Sequence, residues 1–379
     1  MKNSAVRKRH SKFRIPKITL ALCVVFAFSL FLPSSSSIPQ SELRTPRLEP
    51  GQTATQLPDG RLLLVGGEGL DRRPIATAWI WNPLNAQSSA LSPLNQPRAF
   101  HSATMLPDGT VLILGGVGSD GRVVDVAELF NPSTQSFEPL PSTVLSPRAG
   151  HSATLLTDGL VLIAGGRFAD GTLLDTAEIW NPRTQTTESL RARLTVARQN
   201  HSATLLSDGT VLLTGGQDKD GNKLDTADLF DPSSNSFIPQ SEFPSSLSDI
   251  RNPQLEASLP SDGSVDVPLD SLIALRFSKS LRVETINSST VTLVGPKGVE
   301  RAKVIPAEGG TLAFITPEAP LLPGSNYRLS VNGPIDRDGL LLPLSGLSFT
   351  TKRSAISSQP SATSTSQASQ SEIQNRALG

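Results

Sequence analysis

The chain of 379 residues holds one cysteine, one tyrosine, two methionines and four histidines. With Cys23 alone there is no disulfide framework and no Cys-rich metal centre. With Tyr327 alone there is almost no phenolic chemistry. Neither sign of charge dominates, since 34 Lys and Arg balance 34 Asp and Glu. The balance is uneven along the chain, because Lys2, Arg7, Lys8, Arg9, Lys12, Arg14 and Lys17 all precede the first acidic residue. From residue 38 onward, 27 basic residues face 34 acidic ones. A mildly acidic protein lacks the basic stripe that displaces counterions from phosphates, so nucleic acid is not an expected partner. Long apolar runs are absent apart from Ile18 to Leu32.

That run follows the basic stretch and is followed by Pro33 and four serines. Basic, apolar and small-residue segments in this order make residues 1–37 a secretory signal. Fifteen residues rise about 22 Å as a helix, short of the roughly 30 Å hydrocarbon core. Cleavage near Ser35 to Ser37 is therefore expected rather than a permanent anchor. Cys23 follows Leu22, where a lipoprotein signal needs a small residue, so lipid attachment is not expected. The exported chain then has no thiol nucleophile and no Cys ligand. The expected location is secreted, cell-surface or periplasmic, with membrane contact only through an uncleaved signal.

What the chain does have is a repeat. His101-Ser-Ala-Thr-Met-Leu-Pro-Asp-Gly109 recurs as His151-Ser-Ala-Thr-Leu-Leu-Thr-Asp-Gly159 and His201-Ser-Ala-Thr-Leu-Leu-Ser-Asp-Gly209, with Gln52-Thr-Ala-Thr-Gln-Leu-Pro-Asp-Gly60 as a diverged first copy. The same phase repeats the pairs Gly66-Gly67, Gly115-Gly116, Gly165-Gly166 and Gly215-Gly216. It also repeats an aromatic residue before Asn-Pro or Asp-Pro at Trp81, Phe130, Trp180 and Phe230. Each unit reads as four short strands: an alternating HSATLL, an Asp-Gly hairpin turn, an apolar VLIAGG, then LDTAEIWNP after a second Asp-Gly, and a weaker strand near Phe137, Thr187 and Phe237. The glycine pairs suit places where a Cβ would strike a neighbouring unit or demand forbidden dihedrals. The prolines end their strands, having no N–H for the ladder.

Arg148-Ala-Gly-His-Ser-Ala-Thr154, Gly165-Gly166 and Leu174-Asp-Thr-Ala-Glu-Ile-Trp-Asn-Pro182, recurring every fifty residues, resemble kelch repeats. The resemblance implies an all-β fold with a kelch-type β-propeller of four recognisable blades, with units of about 52–100, 101–150, 151–200 and 201–248 inside a domain spanning 38–248. The tryptophan that kelch units often carry on the fourth strand is absent, and the first unit lacks both the Arg and the His. Four blades are few for such rings, so either a closed ring or an open array, completed by self-association or a partner, is compatible with the sequence. Ile38-Pro-Gln-Ser-Glu42 reappears as Ile238-Pro-Gln-Ser-Glu242 near the fourth-strand phase, which suggests an outer strand that latches or caps the array.

Beyond Asn252 the phase is lost. Ile273 to Phe277, Val291 to Leu293, Leu312 to Ile315, Tyr327 to Val331 and Leu347 to Phe349 alternate between turn signals, as in an Ig-like β-sandwich of about seven strands. Pro260-Ser-Asp-Gly-Ser-Val-Asp-Val-Pro268, Leu321-Leu-Pro-Gly-Ser-Asn-Tyr327 and Phe349-Thr-Thr351 look like the Ig-like domain of bacterial surface-layer proteins. Over residues 253–352 the resemblance implies a bacterial extracytoplasmic protein in which this domain is a spacer or adhesive module. Residues 353–379, rich in Ser, Thr, Gln and Ala, are expected to be disordered.

Candidate chemistry is sparse. His101, His151 and His201 occupy one place in successive units, which suits a hydrogen bond that fixes each blade better than a shared metal. Arg98, Arg148 and Arg198, three residues before each histidine, are candidates for a ring that binds an acidic ligand, or for tethers to neighbouring carboxylates. Asp218 to Asn222 with Asp225 falls short of a calcium loop, and its aspartates recur in the other units. Copper radical oxidases built on kelch-like propellers need a tyrosine crosslinked to cysteine, which this composition does not supply. No catalytic residue, metal site or cofactor is expected. The expected role is non-catalytic binding of a protein or glycan outside the cell. The alternatives are an extracellular carbohydrate-active enzyme with paired carboxylates at the propeller mouth, or a fragment of a larger surface protein.

Overall fold

The computed structural model describes residues 46–141, 145–243 and 253–353. The expected signal segment, the Ile38–Glu42 echo and the Ser/Thr/Gln-rich tail from residue 354 on lie outside these ranges.

Each fifty-residue unit folds as one antiparallel four-stranded sheet, with its strands in chain order. The first unit contains β1 (Thr53–Gln56), β2 (Leu62–Val65), β3 (Ala78–Asn82) and β4 (Gln87–Ala90). The second contains β5 (Ser102–Met105), β6 (Val111–Leu114), β7 (Glu128–Asn131) and β8 (Ser136–Pro139). The third contains β9 (Ser152–Leu155), β10 (Val161–Ala164), β11 (Thr176–Asn181) and β12 (Thr186–Arg193). The fourth contains β13 (Ser202–Leu205), β14 (Val211–Thr214), β15 (Ala227–Asp231) and β16 (Ser236–Pro239). The first strands of consecutive sheets pack on one another, β1 on β5, β5 on β9 and β9 on β13. No comparable packing joins β13 to β1 among the described residues, so the sheets form an open series.

The Asp-Gly turns differ from a two-residue hairpin. Leu106 N–H donates to the Thr110 carbonyl, Gly109 N–H donates to the Leu106 carbonyl, and only Gly109 takes a positive φ, of 87°. This is a three-residue loop with glycine in the left-handed position, and the Asp108 carboxylate caps it by accepting from the Thr110 N–H at 2.9 Å. Where the fourth-strand tryptophan is missing, Phe137 and Phe237 pack tilted across the ladder against Phe130 and Phe230, at ring separations of 4.9 and 5.1 Å.

Residues 255–351 form two further sheets, one of β17 (Leu255–Leu259), β19 (Ile273–Phe277), β22 (Ala302–Ala307) and β23 (Leu312–Pro317) in the order β17-β19-β23-β22. The other combines β18 (Ser264–Val267), β20 (Val291–Gly295), β21 (Gly298–Glu300), β24 (Asn326–Val331) and β25 (Ser345–Thr351). Strand β22 escapes an alternation reading because Pro306 interrupts it, yet it lies at the sheet edge, where proline costs little.

The sandwich is not a detached spacer. Period-2 alternation divides its first sheet between two cores: Ile273, Leu275, Phe277, Ala313 and Ile315 face the sandwich, whereas Ala274, Ile305, Ala307, Leu312 and Phe314 join the core of the repeat sheets. Gly109 approaches Ile305 and Lys303, Gly159 approaches Leu272 and Phe314, and Gly209 approaches Arg276, so the first Asp-Gly turns sit against this sheet. Lys303 Nζ donates to the Asp108 carbonyl at 2.7 Å, and Arg276 Nη1 donates to Thr157 Oγ1 at 3.2 Å. The Ig-like domain thus covers one end of the repeat array.

Candidate functional site

The in-phase polar residues assemble between the sheets. Arg98, Arg148 and Arg198 are buried, and each guanidinium pairs with a carboxylate on the third strand of its own sheet: Glu128 at 2.7 Å, Glu178 at 2.8 Å and Asp228 at 2.9 Å. Each also donates to the carbonyl of the first glycine of its pair, Gly115, Gly165 or Gly215. Burial lowers the three arginine pKa values and the paired carboxylate opposes that shift at each. The carboxylates are themselves capped: Glu128 accepts from the Asn95 N–H at 2.8 Å, and Asp228 accepts from the Thr195 N–H at 3.0 Å and from its hydroxyl. An acidic ligand therefore finds these guanidiniums enclosed and engaged.

The arginine backbone points the other way. The carbonyls of Arg98, Arg148 and Arg198 accept from the N–H groups of Gly67, Gly116 and Gly166, which belong to the preceding sheet. Each arginine therefore staples two sheets, by its main chain to one and its side chain to the next. The first glycine of the pair makes room for this: a Cβ on Gly115, at φ 65°, would stand 2.0 Å from the Arg148 carbonyl oxygen.

His101, His151 and His201 lie buried on the same seams. Their Nε2 atoms meet Thr53 Oγ1 at 2.9 Å, Ser102 Oγ at 2.8 Å and Ser152 Oγ at 2.9 Å, each on the preceding sheet. Burial, reinforced by the adjacent arginine, depresses His101 and His201 to about 3 and holds His151 well below 6.5. Among the described residues no group of three or more His, Cys, Asp or Glu side chains is placed to hold a metal ion. Trp81, Phe130, Trp180 and Phe230 are buried on the third strands, within the sheets.

At the end opposite the Ig-like domain, a cavity of about 210 Å³ is lined by Phe100, Gly150, Arg167, Gln199 and Asn200. Phe100, Gly150 and Asn200 precede the three histidines and all take left-handed backbone, with φ of 58°, 65° and 54°. That conformation links the sheets in series: Phe100 N–H donates to Gly51, Gly150 N–H to Phe100, and Asn200 N–H to Gly150. The second Asp-Gly turns flank this end, and the glycines Gly121, Gly171 and Gly221 face open space. Phe100 and Phe168 are partly exposed there. A guanidinium, amides and exposed rings can hold a polar, partly planar ligand, and the lining contains no nucleophile paired with a base. Sequence reasoning missed these residues because the position before the histidine varies as Phe, Gly and Asn. The signal it does carry is conformational, since Gly and Asn both tolerate left-handed backbone.

Three comparisons bear on the chain. Residues 249–351 match the family model of the bacterial Ig-like domain. No curated protein matches the chain. Among solved structures, a fungal alcohol oxidase described as catalytically diverse within the AA5 family and complexed with copper is 12% identical, covering 80% of this chain and 85% of that one with a TM-score of 0.38. A likeness of that degree transfers none of the oxidase's chemistry.

Proposed function

We propose that the protein is a non-catalytic binding or scaffold protein of the bacterial cell exterior, in which four kelch-type blades form an array and the Ig-like domain caps one of its ends. The observation that carries this reading is the placement of the in-phase polar residues: Arg98, Arg148, Arg198 and the three histidines are used up in seams between sheets. Those residues build a scaffold. Ligand contact falls to the uncapped end, at the cavity bounded by Phe100, Arg167 and Asn200. Export rests on the basic-then-apolar amino terminus, and exterior location also on the bacterial Ig-like domain.

Glycan and peptide arrays probed with the full chain test the reading. Binding that is lost in Arg167→Glu and kept in a variant altered at the opposite end, such as Asp59→Asn, supports it. Binding indifferent to Arg167, or turnover of an arrayed glycan, refutes it.

A further inference from the structure

The chain contains three seams of one design and, on its fourth sheet, half of another. At each seam the preceding sheet offers a glycine pair and a hydroxyl, and the following sheet supplies Arg-x-x-His. Gly116 N–H takes the Arg148 carbonyl and Ser102 Oγ meets His151; Gly166 N–H takes the Arg198 carbonyl and Ser152 Oγ meets His201. The fourth sheet carries the same half-site in Ser202, Gly215 and Gly216. There Ser202 and Thr204 are exposed, and Gly216 N–H donates to no backbone carbonyl among the described residues. A Cβ on Gly215 would meet nothing nearer than 3.8 Å, against 2.0 Å at Gly115 and 2.8 Å at Gly165. The apolar layer is uncovered as well: Leu212 and Thr214 are only half-buried, whereas their counterparts Leu112, Leu114, Leu162 and Ala164 are enclosed.

The first sheet, in the same chain or in a second copy, does not carry the side chains that complete the three internal seams. In the phase of Arg98 and His101 it carries Glu49 and Gln52, and in the phase of Glu128 it carries Trp79, which is partly exposed. The imidazole and the buried arginine–carboxylate pair that anchors the staple are both missing from that side.

We propose that the exposed edge of the fourth sheet is a docking site for a β-sheet unit of a different chain that presents an Arg-x-x-His-Ser/Thr strand. The inference rests on reading the four sheets as consecutive blade-type units. Such a partner would seat its arginine carbonyl on Gly216 N–H, its imidazole on Ser202 Oγ and its apolar strand on Leu212 and Thr214, repeating the geometry of the three internal seams.

The test uses the full chain and a fluorescent hairpin peptide with the sequence of residues 146–165, followed by anisotropy. Saturable binding is expected, weakened about tenfold by His151→Ala in the peptide, in keeping with the loss of one well-made polar contact. In the chain, Gly215→Ala puts a methyl where the arginine carbonyl would sit while touching nothing else, and Ser202→Ala removes the exposed hydroxyl. Both are expected to abolish or weaken binding with the fold intact by circular dichroism. Absence of binding, binding indifferent to these changes, or dimerisation of the chain that occupies Ser202 and Gly216 overturns the proposal. Imidazole nitrogen chemical shifts of His101, His151 and His201 separate the two levels. Hydrogen-bonded neutral rings with no peptide binding defeat this inference alone, and freely protonating rings defeat the blade reading beneath it.

Discussion

Substituting alanine for the first glycine of a pair separates two costs that coincide within the array. Gly115 and Gly215 have nearly the same backbone, with φ of 65° and 68°. Placing alanine in this region costs about 1–2 kcal/mol, offset by roughly 0.4–1 kcal/mol from a less flexible unfolded chain. Gly215→Ala should therefore destabilise by about 1 kcal/mol. At Gly115 the new methyl would also lie 2.0 Å from the Arg148 carbonyl oxygen and 3.0 Å from His151 Cε1. The carbonyl can retreat only by breaking its bond from Gly116 N–H, now 3.0 Å long. Overpacking adds about 1–3 kcal/mol and the strained or lost bond about 1 kcal/mol. Gly115→Ala should thus cost about 3–5 kcal/mol. Urea unfolding of both variants, followed by circular dichroism, gives the two values, and an unchanged m-value ensures that midpoints compare like with like. Equal costs would refute the reasoning, because they would mean either that the seam is loose at Gly115 or that something already covers Gly215.

Two further outcomes follow from the buried charges. Arg148→Met alone strands the Glu178 carboxylate, buried and bonded at 2.8 Å in the native protein, and should cost about 3–5 kcal/mol. Arg148→Met with Glu178→Leu should recover most of that loss, and a double mutant no more stable than the single would contradict the pairing. The pH dependence has two opposed limbs. Glu308 reaches from the Ig-like domain to accept the Leu155 N–H at 2.7 Å, and desolvation raises its carboxyl to about 7. Its folded form binds the proton more tightly than the unfolded chain does, so its contribution is complete below pH 4.5 and is lost as pH rises through 7. The full shift would correspond to about 3 kcal/mol, but the residue keeps some exposure, so roughly half is expected. The buried histidines act in the other direction: their depressed values make the folded state resist protonation, and stability falls as pH drops below 6.5. Three histidines outweigh one carboxyl, so urea midpoints should rise with pH and level off near pH 7 to 7.5, and Glu308→Gln should raise that upper level. A profile that falls between pH 5 and 7, or one that Glu308→Gln leaves unchanged, would refute the assignment.

The sequence made the units legible because each of their features acts locally. Asp-Gly turns, strand-ending prolines and Gly-Gly pairs constrain backbone within a few residues, so their recurrence every fifty residues locates four sheets without knowledge of their neighbours. The seams were half legible. His101 and Arg98 recur in phase, which marks them as structural, but their partners Thr53 and Glu128 lie 48 and 30 residues away, and the spacing alone does not say which sheet each one grips. The docking of the Ig-like domain was not legible at all. Strand β19 reads as an ordinary alternating strand, yet Ala274 and Arg276 belong to one interface and Leu275 and Phe277 to another core. An apolar residue facing solvent in a free sandwich and one facing a second domain look alike until both domains are placed. The open edge stands between these cases. Glu49, Gln52 and Trp79 already say that the first unit cannot meet the fourth as the inner units meet each other, while the exposure of Ser202 and Leu212 needs the structure. An array whose two ends are chemically unlike cannot close on itself through the seam it uses three times, and the unmatched half of that seam defines what can be added to it.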